Sequence, residues 1–219
     1  MSGRDDEFDA QLAASGDDRP GLDDLEENDY SALGLDEQSG EDEDEDEDDE
    51  GDEDDDYPED AVEDEIDLVA AFYREDGSPA GMALPKDLAN DLEELIEQLR
   101  RVPGDAGAVG AVSIDADVFV LVRVRGKHVQ VVLSDIVAAN DWPIARDVAD
   151  LLGVDIPEDE DEGGPVGDLD LFADAGLSEF ELETICSDLD AEPLDVVDQI
   201  MERLGFATAF EKVAATFDV

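Results

Sequence analysis

Positions 41–56 read EDEDEDEDDEGDEDDD, a carboxylate at every place but Gly51. Carboxylates at alternate positions can ligate calcium. An EF-hand loop needs oxygens at positions 1, 3 and 5, Gly at 6 and a bidentate Glu at 12. Asp46, Asp48, Glu50 and Gly51 meet the first half, but position 12 falls on Tyr57. The frame around Gly163 fails in the same way, with Leu169 at position 12. Zinc and thiol chemistry are no better supplied. His128 and Cys186 are the only residues of their types, too few for a closed zinc site, a redox pair or a convincing Cys–His catalyst. Cys186 sits in a helical pattern and reads as a small buried residue. The glycines of PGDAGAVG (103–110) precede a strand pattern, and no GK[ST] follows, so a phosphate cradle is not indicated. Neither a metal, nor a cofactor, nor a catalytic set is expected.

The elements that would carry any site begin near Ile66. Residues 1–65 hold 33 acids against Arg4 and Arg19. They have too few large apolar residues to offset chain entropy, and are expected to form a disordered acidic tail. The apolar residues Phe8, Leu12, Leu22, Leu25, Tyr30, Leu33 and Leu35 punctuate it.

The stretch IDLVAAFY (66–73) reads as a strand and REDGSPAG (74–81) as turn. Leu88, Leu92, Leu95, Ile96, Leu99 and Val102 share one helical face in 84–102, and Pro103-Gly104 ends it. AVGAVSI (108–114) reads as a strand and 117–135 as a hairpin. With Gly126-Lys127 as a two-residue type II′ turn, Val124 pairs with Val129, Val122 with Val131, and Val120 with Leu133, all on one face. Two short helices follow in 135–154, the second opened by Pro143 with Ile144, Val148, Leu151 and Leu152 inward. The expected fold class is α+β: a small antiparallel sheet with packed helices in 66–154, an acidic Gly/Pro linker at 155–167, and a small all-helical module at 168–219. In that module Ser178 and Glu181 form a capping box, as do Thr208 and Glu211, and Pro193 opens the helix between them.

The formal net charge of −56 repels polyanions, so DNA, RNA and anionic membranes are poor direct partners and a basic protein surface is a good one. A helix-turn-helix reading of 168–219 fails on the same ground, because 14 acids there face only Arg203 and Lys212. A lone cysteine, no apolar signal core in MSGRDDEFDA and no long apolar run lead to the expectation of a soluble, cytoplasmic protein. Oligomeric state is not legible. One basic cluster interrupts the acidity: Arg123, Arg125, Lys127 and His128 at the hairpin tip. It is either a solvated sheet face or a docking point for acidic groups. Trp142, beside Pro143 at a helix junction, is either a packing residue or an interface anchor.

The segments VLVRVRG, VLSD and ANDWPIARDVAD, followed by DLFADAGLSEFELETICSD, resemble the actinobacterial tRNA adenosine deaminase-associated proteins over residues 66–217. The resemblance implies a gene neighbourhood with the deaminase and supplies no catalytic residues. The chain is not itself the deaminase: those enzymes use H-x-E with P-C-x-x-C, and the one histidine here lies in H-V-Q, 128–130. Three readings remain. The first is a non-enzymatic accessory protein binding a protein partner, with the tRNA adenosine deaminase as candidate. The second is a polyanionic nucleic-acid mimic that binds basic proteins generally. The third is an enzyme with an unrecognised site in the α+β domain.

Overall fold

The computed structural model describes residues 57–104, 107–159, 162–188 and 191–217. The acidic run and the apolar punctuation before it lie outside the described residues.

Apolar runs, continuous in the central strands and buried on both faces, build the sheet. Strands β1 (Ile66–Glu75), β2 (Ser78–Ala83), β3 (Ala108–Ile114), β4 (Val118–Arg125), β5 (His128–Leu133) and β6 (Val166–Gly167) form one antiparallel sheet in the order β2-β1-β3-β4-β5-β6. The β4–β5 hairpin has the register the valines require: Val124 opposite Val129, Val122 opposite Val131, Val120 opposite Leu133. Gly126 lies at φ +60 and Lys127 keeps a negative φ, as a type II′ turn demands.

Both faces of the sheet are covered. On the first, Val69, Ala71, Val112, Val120, Val122 and Val131 pack against α1 (Leu92–Arg101) and α2 (Pro143–Leu152). On the second, Leu68, Phe72, Ala111, Leu121 and Val132 pack against α3 (Glu179–Cys186), α4 (Pro193–Arg203) and α5 (Ala207–Ala214). The protein is therefore α+β. The helices that the sequence sets beyond a linker share a buried cluster with the sheet. Residues 162–168 are tied down rather than loose: Val166 and Gly167 pair with Leu133 and Val132, and the amide of Gly164 donates to Asp135.

Several boundaries differ from the sequence reading, each for a local reason. Order begins by Tyr57, not at Ile66. The side-chain amide of Asn90 bonds both the N–H and the C=O of buried Ala61, at 2.8 and 3.0 Å. The helix expected over 84–102 is a 3-10 turn (Lys86–Ala89) and then α1, because the Asp91 side chain caps α1 by accepting from the amide of Glu94. The segment read as turn, 74–81, holds the end of β1, a tight turn with Asp76 and Gly77 at positive φ, and the first four residues of β2. Leu151 is exposed; Ala145 and Ala149 take the inward positions of α2 beside Ile144 and Val148. The Ser178–Glu181 capping box is present. The Thr208–Glu211 box is not, since Gly205 turns the chain at φ +78 and α5 already starts at Ala207, leaving Thr208 inside the helix.

No helix among the described residues is long and apolar enough to cross a membrane. Among the same residues no group of three or more His, Cys, Asp or Glu side chains is placed to hold a metal ion.

Candidate functional site: the basic end of the sheet

Antiparallel strands bring alternate turns to opposite ends of a sheet. The β1–β2 and β4–β5 turns share one end, and the β3–β4 turn lies at the other. The first end collects the cations Arg74, Arg123, Arg125 and Lys127, with His128 beside them. Arg100, near the end of α1, lines the same hollow as Arg125 and Gly107. The opposite end is acidic, with Glu59, Asp60, Glu65, Asp115, Asp117 and Asp141 around one depression. Trp142 belongs to that acidic end. Its indole N–H donates to Asp117 at 3.1 Å, and its ring is half-buried against the first core cluster. The structure thus brings Arg123, Arg125, Lys127 and His128 together and sets Trp142 apart from them.

The four side chains of the hairpin cluster are not equivalent. Arg123 points inward, is only 9% exposed, and packs over the Phe172 ring at 5.7 Å. It donates to the carbonyl of Leu171 and grips the Asp174 carboxylate with both terminal nitrogens. Arg125 donates to the same carboxylate at 2.8 Å and to Gln130 Oε1 at 3.2 Å. Gln130 in turn donates to Asp170 at 3.4 Å. The hydrogen bond from Arg123 holds the Asp174 carboxyl below its ordinary range. Thus two arginines of β4 clamp the 3-10 turn Ala173–Ala175 onto the sheet. Lys127 and His128 are exposed, and among the described residues their side chains make no ion pair or hydrogen bond.

Between this clamp and α4–α5 lies a cavity of about 200 Å³ lined by Phe72, Val109, Phe172, Leu204, Phe206 and others, with Arg74 and Arg123 as its guanidinium groups. Arg74 sits over the Phe206 ring at 5.1 Å and donates to the carbonyls of Leu204 and Gly77 at 2.9 and 3.3 Å. Gly107 forms part of the lip. A Cβ there would lie 2.2 Å from the carbonyl oxygen of Val124, so no side chain fits. Arg74, Asp174, Phe172 and Phe206 were not singled out from the sequence. Arg74 is the lone base at the end of an apolar strand, which is a usable signal. Asp174 has none, because one acid among 68 is not distinguishable by type.

This end offers hydrogen-bond donors and ring faces, with the Tyr73 hydroxyl-bearing side chain also in the cavity lining. Fold and site define an α+β protein whose sheet carries guanidinium groups and aromatic faces at one end. The chain belongs to the Rv3753c-like tRNA adenosine deaminase-associated protein family, whose profile matches residues 67–207. Protein Rv3753c of Mycobacterium tuberculosis (strain ATCC 25618 / H37Rv) is 34% identical over 150 residues, which span 65% of this chain and 84% of that protein. No solved structure matches. The matched segment runs from β1 into the start of α5 and leaves the acidic run outside it.

Proposed function

We propose that this chain is a non-enzymatic accessory protein that binds the tRNA adenosine deaminase and modulates its access to RNA, acting in the cytoplasm. The observation that carries the reading is family membership of the folded part, residues 67–207. Charge supports it: an enzyme that works on tRNA must present a basic surface to its substrate, and a partner with a net charge of −56 is complementary to that surface. The make-up of the basic end, donors and rings without an acid–base pair, supports binding over catalysis. The basic hairpin tip, where Lys127 and His128 are exposed, is proposed as the part of the fold that meets acidic groups of the partner.

The test is co-purification from native lysate with the full-length chain and with a variant lacking residues 1–56, washed at about 0.15 M and about 0.5 M salt. Screening collapses exposed charge attraction over that range. Retention of the deaminase by both proteins at the higher salt is the expected result. Retention of many basic proteins, lost with salt and with the acidic run, would instead establish a general polyanionic mimic.

A further inference from the structure

We propose that the Arg74 cavity is a binding site for a small organic monoanion: a carboxylate carried on a flat, aromatic-sized apolar body. The inference is independent of whether the deaminase is the partner.

Charge comes first. Of the two guanidinium groups in the cavity, Arg123 is neutralised by Asp174. Arg74 is not. Its acceptors are the carbonyls of Gly77 and Leu204, and among the described residues no carboxylate lies within ion-pair distance of it. A half-buried positive charge held by carbonyl dipoles and a ring face, without a carboxylate, is unusual in a chain with 68 acids. It leaves electrostatic attraction for an anion in place. Of the five N–H donors of a guanidinium, two are used here, so enough remain for a two-point grip on a carboxylate.

Shape comes second. The Phe206 ring lies under Arg74, and Phe72 is tilted against Phe206 with centroids 6.0 Å apart. Phe172, Val109 and Leu204 complete an apolar wall. An apolar cavity of about 150 Å³ accepts benzene, so a cavity of about 200 Å³ has room for one ring and its carboxylate. The nearby exposed Lys127, with Arg125, favours the approach of an anion.

The probes are sodium benzoate, its neutral isostere benzamide, and sodium acetate, which has the charge without the ring. Each is titrated into the full-length ¹⁵N-labelled protein and followed by backbone amide shifts. Benzoate should give saturable shifts at Arg74, Gly107, Val109, Phe172 and Phe206, with a dissociation constant below about 5 mM. Benzamide and acetate should each bind at least about tenfold more weakly. Arg74→Gln should weaken benzoate by about tenfold or more. Ala175→Phe, which fills the cavity without changing charge, should block it, and it keeps the test open should Arg74→Gln not fold. Equal, non-saturating responses to benzoate and acetate, centred on Arg100, Lys127 and His128, would overturn the proposal. So would benzoate affinity unchanged by the substitutions.

Discussion

Removing Asp174 should cost more stability than removing the buried arginine it pairs with. The two sides of the pair sit in different surroundings: the Arg123 side chain is 10% exposed and that of Asp174 is 52% exposed. Asp174→Ala strands a buried guanidinium, leaving it the Leu171 carbonyl and the Phe172 ring. A charged hydrogen bond is worth about 1.5–3 kcal/mol when buried, and an exposed pair about 0.2–1 kcal/mol. The half-exposed carboxylate places the Arg123 share between those limits, and the Arg125 pairing adds little. The expected loss is about 2 kcal/mol, or about 4–8 °C in Tm for a chain of this size. Arg123→Met removes the buried charge, fills its volume with an apolar side chain, and leaves Asp174 hydrated and still paired with Arg125. It should cost about 1 kcal/mol or less. Urea unfolding of the two single variants and the double variant gives the coupling, expected near 1–2 kcal/mol on the order of a contacting charge pair. Acid supplies an internal check. Because the Asp174 carboxyl is held below its ordinary 3.8, its contribution is complete above that value and lost as pH falls through the lower, folded one. The gap between the natural protein and Asp174→Asn should stay constant near neutrality and close on acidification below 3.8. A coupling under about 0.3 kcal/mol, or an Arg123→Met variant less stable than Asp174→Ala, would refute this account of the clamp.

Two more outcomes follow from the geometry. Gly107→Ala should lose about 3 kcal/mol or more, since its Cβ would meet a backbone carbonyl at 2.2 Å. Gly126→Ala, at φ +60 with nothing within 4 Å, should lose only about 1 kcal/mol; comparable urea midpoints for the two would contradict the steric argument. Burial pushes the Cys186 thiol up to about 12, so it is protonated at pH 8 and poorly nucleophilic. Labelling by a thiol reagent at that pH should track global unfolding in urea, and rapid labelling of the native protein would show that α3 opens locally.

How far the fold was legible depended on which signals were local. The β4–β5 register followed from valine alternation, because a slip of one residue would carry all six partners to the opposite face of the sheet. The cover on the second face was announced too, though not by alternation. IDLVAAFY and AVGAVSI are continuous apolar runs, and such runs mean burial on both sides. What the linear order withheld was which helices supply that cover, because an acidic Gly/Pro stretch between sheet and helices looks the same whether it frees a module or ties it down through Gly164 and Val166. Strand β2 was hidden for another reason. SPAGMA has little apolar character, and it is held by its pairing with β1 and by α5, with Gly81 packed against the Phe72 ring at 3.0 Å for a Cβ placed there.

The site shows the same division between local and distant information. The hairpin placed Arg123 and Arg125 on one face by period alone, and that placement is correct. Their roles were fixed by an acid about fifty positions away, since Asp174 converts one arginine into a buried strut and half-neutralises the other. Clustered cations in sequence therefore did not translate into clustered free charge. The free charge is distributed instead over three elements: Arg74 from the first hairpin, Lys127 from the second, and Arg100 from α1. Antiparallel topology makes that gathering unavoidable, because every second turn arrives at the same end. It also explains the acidic end around Asp115 and Asp117, where Trp142 lies. A recognition surface at the basic end consequently depends on the clamp only through its geometry. Loss of Asp174 should loosen the turn that carries Phe172 while adding positive charge, whereas loss of Arg74 removes charge and leaves the turn in place. Binding measurements on those two variants separate shape from charge at this end of the sheet.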